Sequence, residues 1–368
     1  MYLFNDFQNE IKESIDDFIL NVIEKQNSND INKKTFLYEV LEQLGSLGYK
    51  GLMVSEEFGG VGLDAVSALL IISRIAYSDP SLAHVLETIN FGFCYPIYLL
   101  GTQEQKELFL SNTLRENYIG TLAVNEPEKE IKTIAHKDGD YYILNGIKNM
   151  ITCAGTAQYA LVNALVDNNN TFFIVDLKNT DGIVIGKTEE TMGLESMAVS
   201  EIYLEDAKVH KDNILLGIGK GLEVILKSME LMRICNSAVA LGIAQRAFNE
   251  AVEYSKVRII NGQPLFEMQS VKYDLAEIKA NLEMMETLVY YTGNIYSENV
   301  EGKILHSSIS KLIVTEKAKE ICDKCLQYFG GYGYVKGVKV EKLYRDIRIM
   351  TILGGVSEVM KWSISRFI

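Results

Sequence analysis

The sequence predicts a mainly α-helical protein with a central β domain. Three observations lead there. Apolar residues recur at spacings of three and four through the first 118 residues and again from about residue 216 to the end, the signature of helices with one buried face. Between those stretches the period falls to two in short runs split by Asn, Asp and Gly, which reads as strands. Only four prolines occur in 368 residues, so long helices run unbroken. The expected organisation is an N-terminal α-helical domain over 1–118, a middle β domain over 119–215 and a C-terminal helical bundle over 216–368.

Each element has its own signal. Phe7, Ile11, Ile15, Phe18 and Ile19 form an apolar stripe, repeated by Leu37, Val40, Leu41 and Leu44. Gly59, Gly60 and Gly62 punctuate the pattern. Val66 to Tyr77 and Pro80 to Leu100 are further helices, the second apolar nearly all round and therefore expected to be buried. Tyr141 to Leu144, Asn145-Gly146 and Ile147 to Thr152 predict a hairpin closed by a type I′ turn. Tyr159 to Val166, Thr171 to Leu177, Ile183 to Lys187 and Ser200 to Leu204 are strand-like. The helical period returns at Gly217. Leu222 to Val257, Phe266 to Ser297 and Ile304 to Phe329 are three long helices, broken at Gly262-Gln263-Pro264 and Ser297-Glu298-Asn299. Arg348 to Phe367 ends the chain.

Composition excludes several classes of function. Hydrophobic residues make up 48% and charged residues 23%, enough to bury a large core. The formal charge of −13 (36 basic, 49 acidic residues) repels phosphate backbones, so no nucleic-acid partner is expected. No run of about 18 apolar residues predicts a membrane span. The five cysteines, Cys94, Cys153, Cys235, Cys322 and Cys325, are scattered and form no disulfide framework, which points to a reducing, cytoplasmic location. Cys322 and Cys325 have C-x-x-C spacing inside a predicted helix, with no second pair at zinc spacing, so they are read as structural and no metal is expected. Asp6, Glu10, Glu13, Asp16 and Asp17 make the N-terminus unlike a signal or transit peptide.

A series of motifs carries the chemistry. In chain order they are Glu56-Glu57-Phe58-Gly59-Gly60-Val61-Gly62, Asn125-Glu126-Pro127 and Met150-Ile151-Thr152. Then come Arg258 with Asn261-Gly262-Gln263-Pro264-Leu265 and Gln269, Gln327-Tyr328-Phe329-Gly330-Gly331, and Tyr344-Arg345-Asp346 before Ile352-Leu353-Gly354-Gly355-Val356-Ser357-Glu358. In this order and at these distances the chain resembles the acyl-CoA dehydrogenase superfamily over nearly its whole length. That resemblance implies an N-terminal helical domain, a middle β-barrel or sandwich and a C-terminal four-helix bundle. It also implies FAD as cofactor and a homodimer or homotetramer. The implied reaction removes a proton from the α-carbon of an acyl thioester and passes a hydride from the β-carbon to flavin N5, with an electron acceptor to follow.

The resemblance also assigns residues. Leu122, Val124, Asn125, Met150, Ile151 and Thr152 would meet the flavin, with the Thr152 hydroxyl at N5. Met150 stands where an aromatic residue is usual, and it can fill that space but cannot stack the same way. Arg258, Gln269, Gln327, Gly330 and Gly331 would hold the dinucleotide, Arg258 reaching the pyrophosphate across a subunit interface. A guanidinium pairs with phosphate bidentately, and bare glycine lets backbone approach closely. Val356 and Glu358 complete the cofactor set. Glu230, Arg233 and Gly355 would lie on the substrate.

Two departures change the expected chemistry. The flavin loop after Pro127 runs Glu128-Lys129-Glu130-Ile131-Lys132-Thr133, shorter than usual and without the family's Gly, Ser and Asp, and this loop borders the CoA tunnel in relatives. Second, Gly354 occupies the position of the catalytic Glu, and Met232 the alternative base position on the preceding long helix. Glu230 lies two residues earlier, about 200° round a helix. Glu230 and Glu87 are the fallback carboxylates. Glycine retains the backbone N–H that polarises the thioester carbonyl, an oxyanion-type donor, but it supplies no base. The reading is an FAD oxidoreductase acting on an acyl thioester of CoA or of an acyl carrier protein, the latter in specialised metabolism. A flavin monooxygenase or oxidase, or a non-catalytic FAD-binding homologue, are the alternatives.

Overall fold

The computed structural model describes residues 2–25, 33–128, 130–298 and 302–368. The chain begins with helix α1 (Asp6–Phe18), capped by Asn5, whose side chain accepts from Gln8 N at 2.8 Å while Gln8 Oε1 accepts from Asn5 N at 3.2 Å. Helix α2 (Lys33–Ser46) follows. Ile15, Ile19, Leu37, Val40, Leu41 and Leu44 are buried as the spacing requires, but Phe7 at the start of the stripe is exposed. Helix α3 (Ala65–Ser78) is capped by Asp64, and α4 (Pro80–Glu87) by Asp79 with Pro80 preset for the first turn. Every residue of α4 is buried. The helix continues as a π-helical stretch, Thr88–Cys94, into α5 (Tyr95–Leu100).

The middle of the chain is one sheet of eight strands: β1 (Gly120–Ala123), β2 (Ile134–Asp138), β3 (Tyr141–Thr152), β4 (Tyr159–Val166), β5 (Asn169–Asp176), β6 (Ile183–Ile185), β7 (Val199–His210) and β8 (Ile214–Leu215). The spatial order is β6-β7-β3-β2-β4-β5-β8, with β1 parallel to β4. The predicted hairpin at Asn145-Gly146 is not formed. Tyr141 to Thr152 is one strand paired along its length with β7, and its register shifts between Leu144 and Gly146. The turn falls instead at Gly139-Asp140, between β2 and β3. Gly146 serves close approach: a Cβ there would stand 2.5 Å from Thr133 Oγ1.

The bundle comprises α6 (Gly221–Val257), α7 (Gln269–Ser297), α8 (Lys303–Tyr328), α9 (Lys339–Ile347) and α10 (Ser357–Ser365). Asn299, in the second predicted helix break, lies outside the described residues, as does Lys129 of the short loop. The final stretch is not one helix: a 3₁₀ turn (Arg348–Thr351) and the Gly354-Gly355 turn precede α10. Helix α6 packs on α3, α4, α7 and α8. One apolar core runs continuously from the N-terminal helices through the sheet into the bundle. Buried α4 is thereby held against α6, and its last turns face the end of β3.

Candidate active site

The site begins where α4 meets β3. His84 and Glu87 sit one turn apart on α4, 3% and 0% exposed. His84 Nδ1 is 3.1 Å from Glu87 Oε2, and His84 Nε2 is 3.4 Å from Thr152 Oγ1. Burial pushes the Glu87 carboxyl up, and its hydrogen bond with His84 opposes that shift. Its other oxygen, Oε1, has no hydrogen-bond partner among the described residues. Just beyond, the π-helical stretch is tied to the N-terminal domain by Asn90, which donates to Tyr49 O at 2.9 Å and accepts from Leu52 N at 2.6 Å. Such widened turns recur at functional sites.

Thr152 ends β3 half-buried, its carbonyl accepting from Thr121 Oγ1 at 2.7 Å. Ile151 is buried, whereas Met150 is 51% exposed at φ +54, in a register shift that turns its side chain outward. Leu122 and Val124 are half-buried at the end of β1, and a Cβ on Gly92 would touch Leu122 and the Met232 methyl. Asn125 is exposed, and its carbonyl accepts from Asn149 N at 3.0 Å. Glu126 organises the short loop. Its carboxylate accepts from Lys132 N at 2.6 Å and Thr133 Oγ1 at 2.8 Å, and pairs with buried Lys148.

The third wall is the glycine turn. Gly354 has φ +66 and Gly355 φ +108. The turn is pinned on its C-terminal side: Lys311 Nζ donates to Gly355 O at 2.6 Å and Ser357 Oγ to Glu316 Oε1 at 2.5 Å. Lys311 is fully buried, and burial pushes its ammonium down to about 8. Asn236 of α6 donates to Met232 O at 3.0 Å, and its buried Oδ1 has no partner among the described residues. Arg233 turns its Nη1 to Ser308 at 3.2 Å. Glu230 is buried, its carboxyl pushed up by burial and opposed by Lys227, Lys303 and Arg233. Val356 and Glu358 are exposed at the start of α10.

A second place gathers the other predicted residues. Arg258, Gln327, Gly330 and Gly331 line one cleft of about 680 Å³. Met268 and Ser270, either side of Gln269, line it too. Gln269 itself donates to Tyr273 Oη at 2.5 Å. The exposed Arg258 guanidinium makes no ion pair among the described residues, and a Cβ on Gly330 or Gly331 would meet nothing within 4 Å. A guanidinium, two side-chain amides and bare backbone beside open space are a donor set suited to an anionic dinucleotide. Among the described residues, no hydrogen bond or ion pair joins this cleft to the Thr152 group.

Comparison with known proteins decides the family. The acyl-CoA dehydrogenase N-terminal, middle and C-terminal domain descriptions match residues 5–117, 126–207 and 219–368. The chain belongs to the acyl-CoA dehydrogenase family. It is 35% identical to the 3-(aryl)acrylate reductase of Clostridium sporogenes over 90% of each chain. Butyryl-CoA dehydrogenase from Megasphaera elsdenii superposes with a TM-score of 0.91 at 31% identity, covering 100% and 99% of the two chains. The prolyl acyl carrier protein oxidase AnaB superposes at 0.92 with 26% identity and 99% of each chain. The protein is an oxidoreductase of the acyl-CoA dehydrogenase type, and its cofactor is FAD. The described residues include no helix long and apolar enough to cross a membrane.

His84, Asn236 and Lys311 were not singled out by motif, and Glu87 only as a fallback. The available signal was charge out of place: His84 and Glu87 are the two residues with acidic or basic side chains in the stretch Pro80 to Leu100, which is otherwise uncharged.

Proposed function

We propose that this acyl-CoA dehydrogenase relative oxidises an acyl thioester whose handle is an acyl carrier protein, in a specialised pathway. The observation that carries the reading is the Gly354 turn, which presents a backbone N–H and no carboxylate at the family's base position. Bound FAD supplies the acceptor for the hydride leaving the β-carbon. The chain's own residues do the rest. Gly354 N–H donates to the thioester carbonyl, and the Lys311–Gly355 bond holds that donor in place before substrate arrives, the arrangement that favours developing negative charge. Thr152 would orient the flavin edge. Arg258, Gln269, Gln327, Gly330 and Gly331 would hold the dinucleotide end, with Arg258 serving a neighbouring subunit, so the assembly is at least a dimer. The short loop folded back on Glu126 supports a changed entrance for the thioester handle.

The test is anaerobic incubation of the FAD-loaded protein with libraries of acyl-CoA and acyl-carrier-protein thioesters. Flavin bleaching is followed, and products are identified by mass spectrometry. Bleaching by carrier-bound thioesters, with free acyl-CoA turned over far more slowly, is the expected result. Equal turnover of both removes the carrier assignment. An oxygenated product formed only with O₂ replaces dehydrogenation by monooxygenation. No reduction by any thioester overturns the enzymatic reading.

A further inference from the structure

We propose that His84, held by Glu87, is the base that takes the α-proton of the thioester, the task for which Gly354 has no side chain. The inference rests on the reading above, in which Thr152 marks the flavin N5 edge. Three hydrogen-bonding groups stand in line: Thr152 Oγ1 is 3.4 Å from His84 Nε2, and His84 Nδ1 is 3.1 Å from Glu87 Oε2. When Nδ1–H donates to the carboxylate, Nε2 keeps its lone pair, which accepts from the Thr152 hydroxyl until substrate takes its place. The same logic positions a histidine between a hydroxyl and a buried carboxylate in hydrolytic triads. The hydride leaves the β-carbon for the atom beside Thr152. The α-carbon is one bond away, about 1.5 Å, which would bring it toward the Nε2 side of the imidazole.

Atoms and electrons balance without a further reagent. The Cα–H bond breaks, and its electron pair becomes the Cα=Cβ bond as the β-hydride departs to FAD, the oxidant. The proton remains on Nε2, and the imidazolium faces Glu87. Neither carboxylate nor imidazole is available elsewhere in the turn, since Gly354 and Met232 occupy the usual base positions.

A purely structural role fits the pair poorly. Glu87 is fully buried, yet Oε1 has no donor among the described residues. A carboxylate retained for packing alone would have both oxygens satisfied, because a buried unpaired acceptor costs stability. The other ionisable group shown acting with Glu87 is the Cys235 thiol of α6, which burial and Glu87 push well above its ordinary value. It is therefore a poor competitor for the role.

The experiment separates proton removal from hydride transfer. Phenylacetyl-pantetheine has acidic α-hydrogens and no hydrogen on its β-carbon, so it cannot be oxidised. Its pantetheine is common to CoA and to carrier proteins. Incubated with FAD-loaded protein in D₂O, it should acquire deuterium at Cα. His84→Asn keeps an N–H toward Glu87 and lacks the base, so exchange should fall by roughly 10²-fold or more. Glu87→Gln should lower exchange less and displace its pH profile, which a packing role would not do. A second readout needs no turnover: wild type should ionise bound acetoacetyl-pantetheine, seen by its enolate absorbance, and His84→Asn should not. Wild-type exchange in a folded, FAD-bound His84→Asn variant overturns the proposal. If that variant does not fold, unchanged exchange and pH profile in Glu87→Gln overturn it. Absence of exchange in the wild type overturns it as well, while flavin bleaching by thioesters tests the preceding reading separately.

Discussion

Asn236 Nδ2 stands 2.8 Å from the point a Cβ on Gly354 would occupy, and Gly354 is already at φ +66. The two facts act together. Any side chain at 354 must adopt a left-handed backbone, at a cost of about 1–2 kcal/mol, and must also displace the Asn236 amide. Position 354 is thus adapted to having no side chain.

The first prediction follows. Gly354→Glu alone should fold less stably than wild type and gain little activity on saturated acyl-CoAs. Combined with Asn236→Ala it should gain room for the carboxylate, and in a His84→Asn background the pair should restore flavin reduction toward the roughly 10²–10⁴-fold that a positioned base supplies. Anaerobic stopped-flow bleaching measures both. No recovery in that background would show that position 354 cannot hold a base within reach of the α-carbon.

Arg258 gives the second prediction. Its exposed guanidinium and the Gly330-Gly331 backbone line the same cleft. Arg258→Ala should remove a charged hydrogen bond worth about 1.5–3 kcal/mol and weaken FAD about tenfold or more. Arg258→Lys should recover only part, since an ammonium cannot engage two phosphate oxygens in a fork. Equilibrium dialysis and sedimentation would be read together. A monomer that still binds FAD tightly would exclude a contribution across an interface.

How much of this was legible in the sequence depends on distance along the chain. The strand Tyr159–Val166 and the long helix from Gly221 to Val257 repeat their apolar residues locally, so their spans were readable. Asn145-Gly146 misled because its glycine answers Thr133, just before the neighbouring strand β2, not a turn of its own. Thr152 and Arg258 are marked in the sequence only by motif order. The His84–Thr152 contact joins residues 68 apart. In a helix buried on all faces, no periodicity distinguishes a functional polar residue from a packed one. Lys311 likewise meets Gly355 across 44 residues.

The third prediction concerns acid. Burial pushes the Glu126 carboxyl up, but hydrogen bonds from Lys148, Lys132 N–H and Thr133 more than offset it and hold it below the ordinary value. A depressed carboxyl contributes stability that is present above the unfolded value of about 4.3 and is lost as pH falls through the lower folded value. Glu126→Gln leaves Lys148 buried and unpaired, so it should destabilise by about 3–5 kcal/mol at pH 7. The gap to wild type should narrow below about pH 4. Thermal scans at pH 7, 5 and 3 check the sign; a gap that widens in acid contradicts it.

Lys311 supplies the last prediction, because its burial and its task pull in opposite directions. Desolvating an ammonium is costly, and burial is the main cause that holds Lys311 near 8, with Arg233 adding to it and Glu316 and Glu358 opposing it. Replacing it with methionine keeps most of the volume and removes that cost. The same change deprives Gly355 O of its 2.6 Å donor. Lys311→Met should therefore change thermal stability little, the desolvation gain offsetting the lost hydrogen bond. It should nonetheless free the turn whose Gly354 N–H is proposed to polarise the thioester carbonyl. A donor that is loosened rather than deleted should cost somewhat less than the roughly 10²–10³ in kcat of a deleted one. The loss should fall on kcat more than on KM, because the bond strengthens as charge develops. A loss confined to KM, or a collapse of the fold with no kinetic phenotype in the surviving protein, would mean that Lys311 holds the bundle together and does not position the turn.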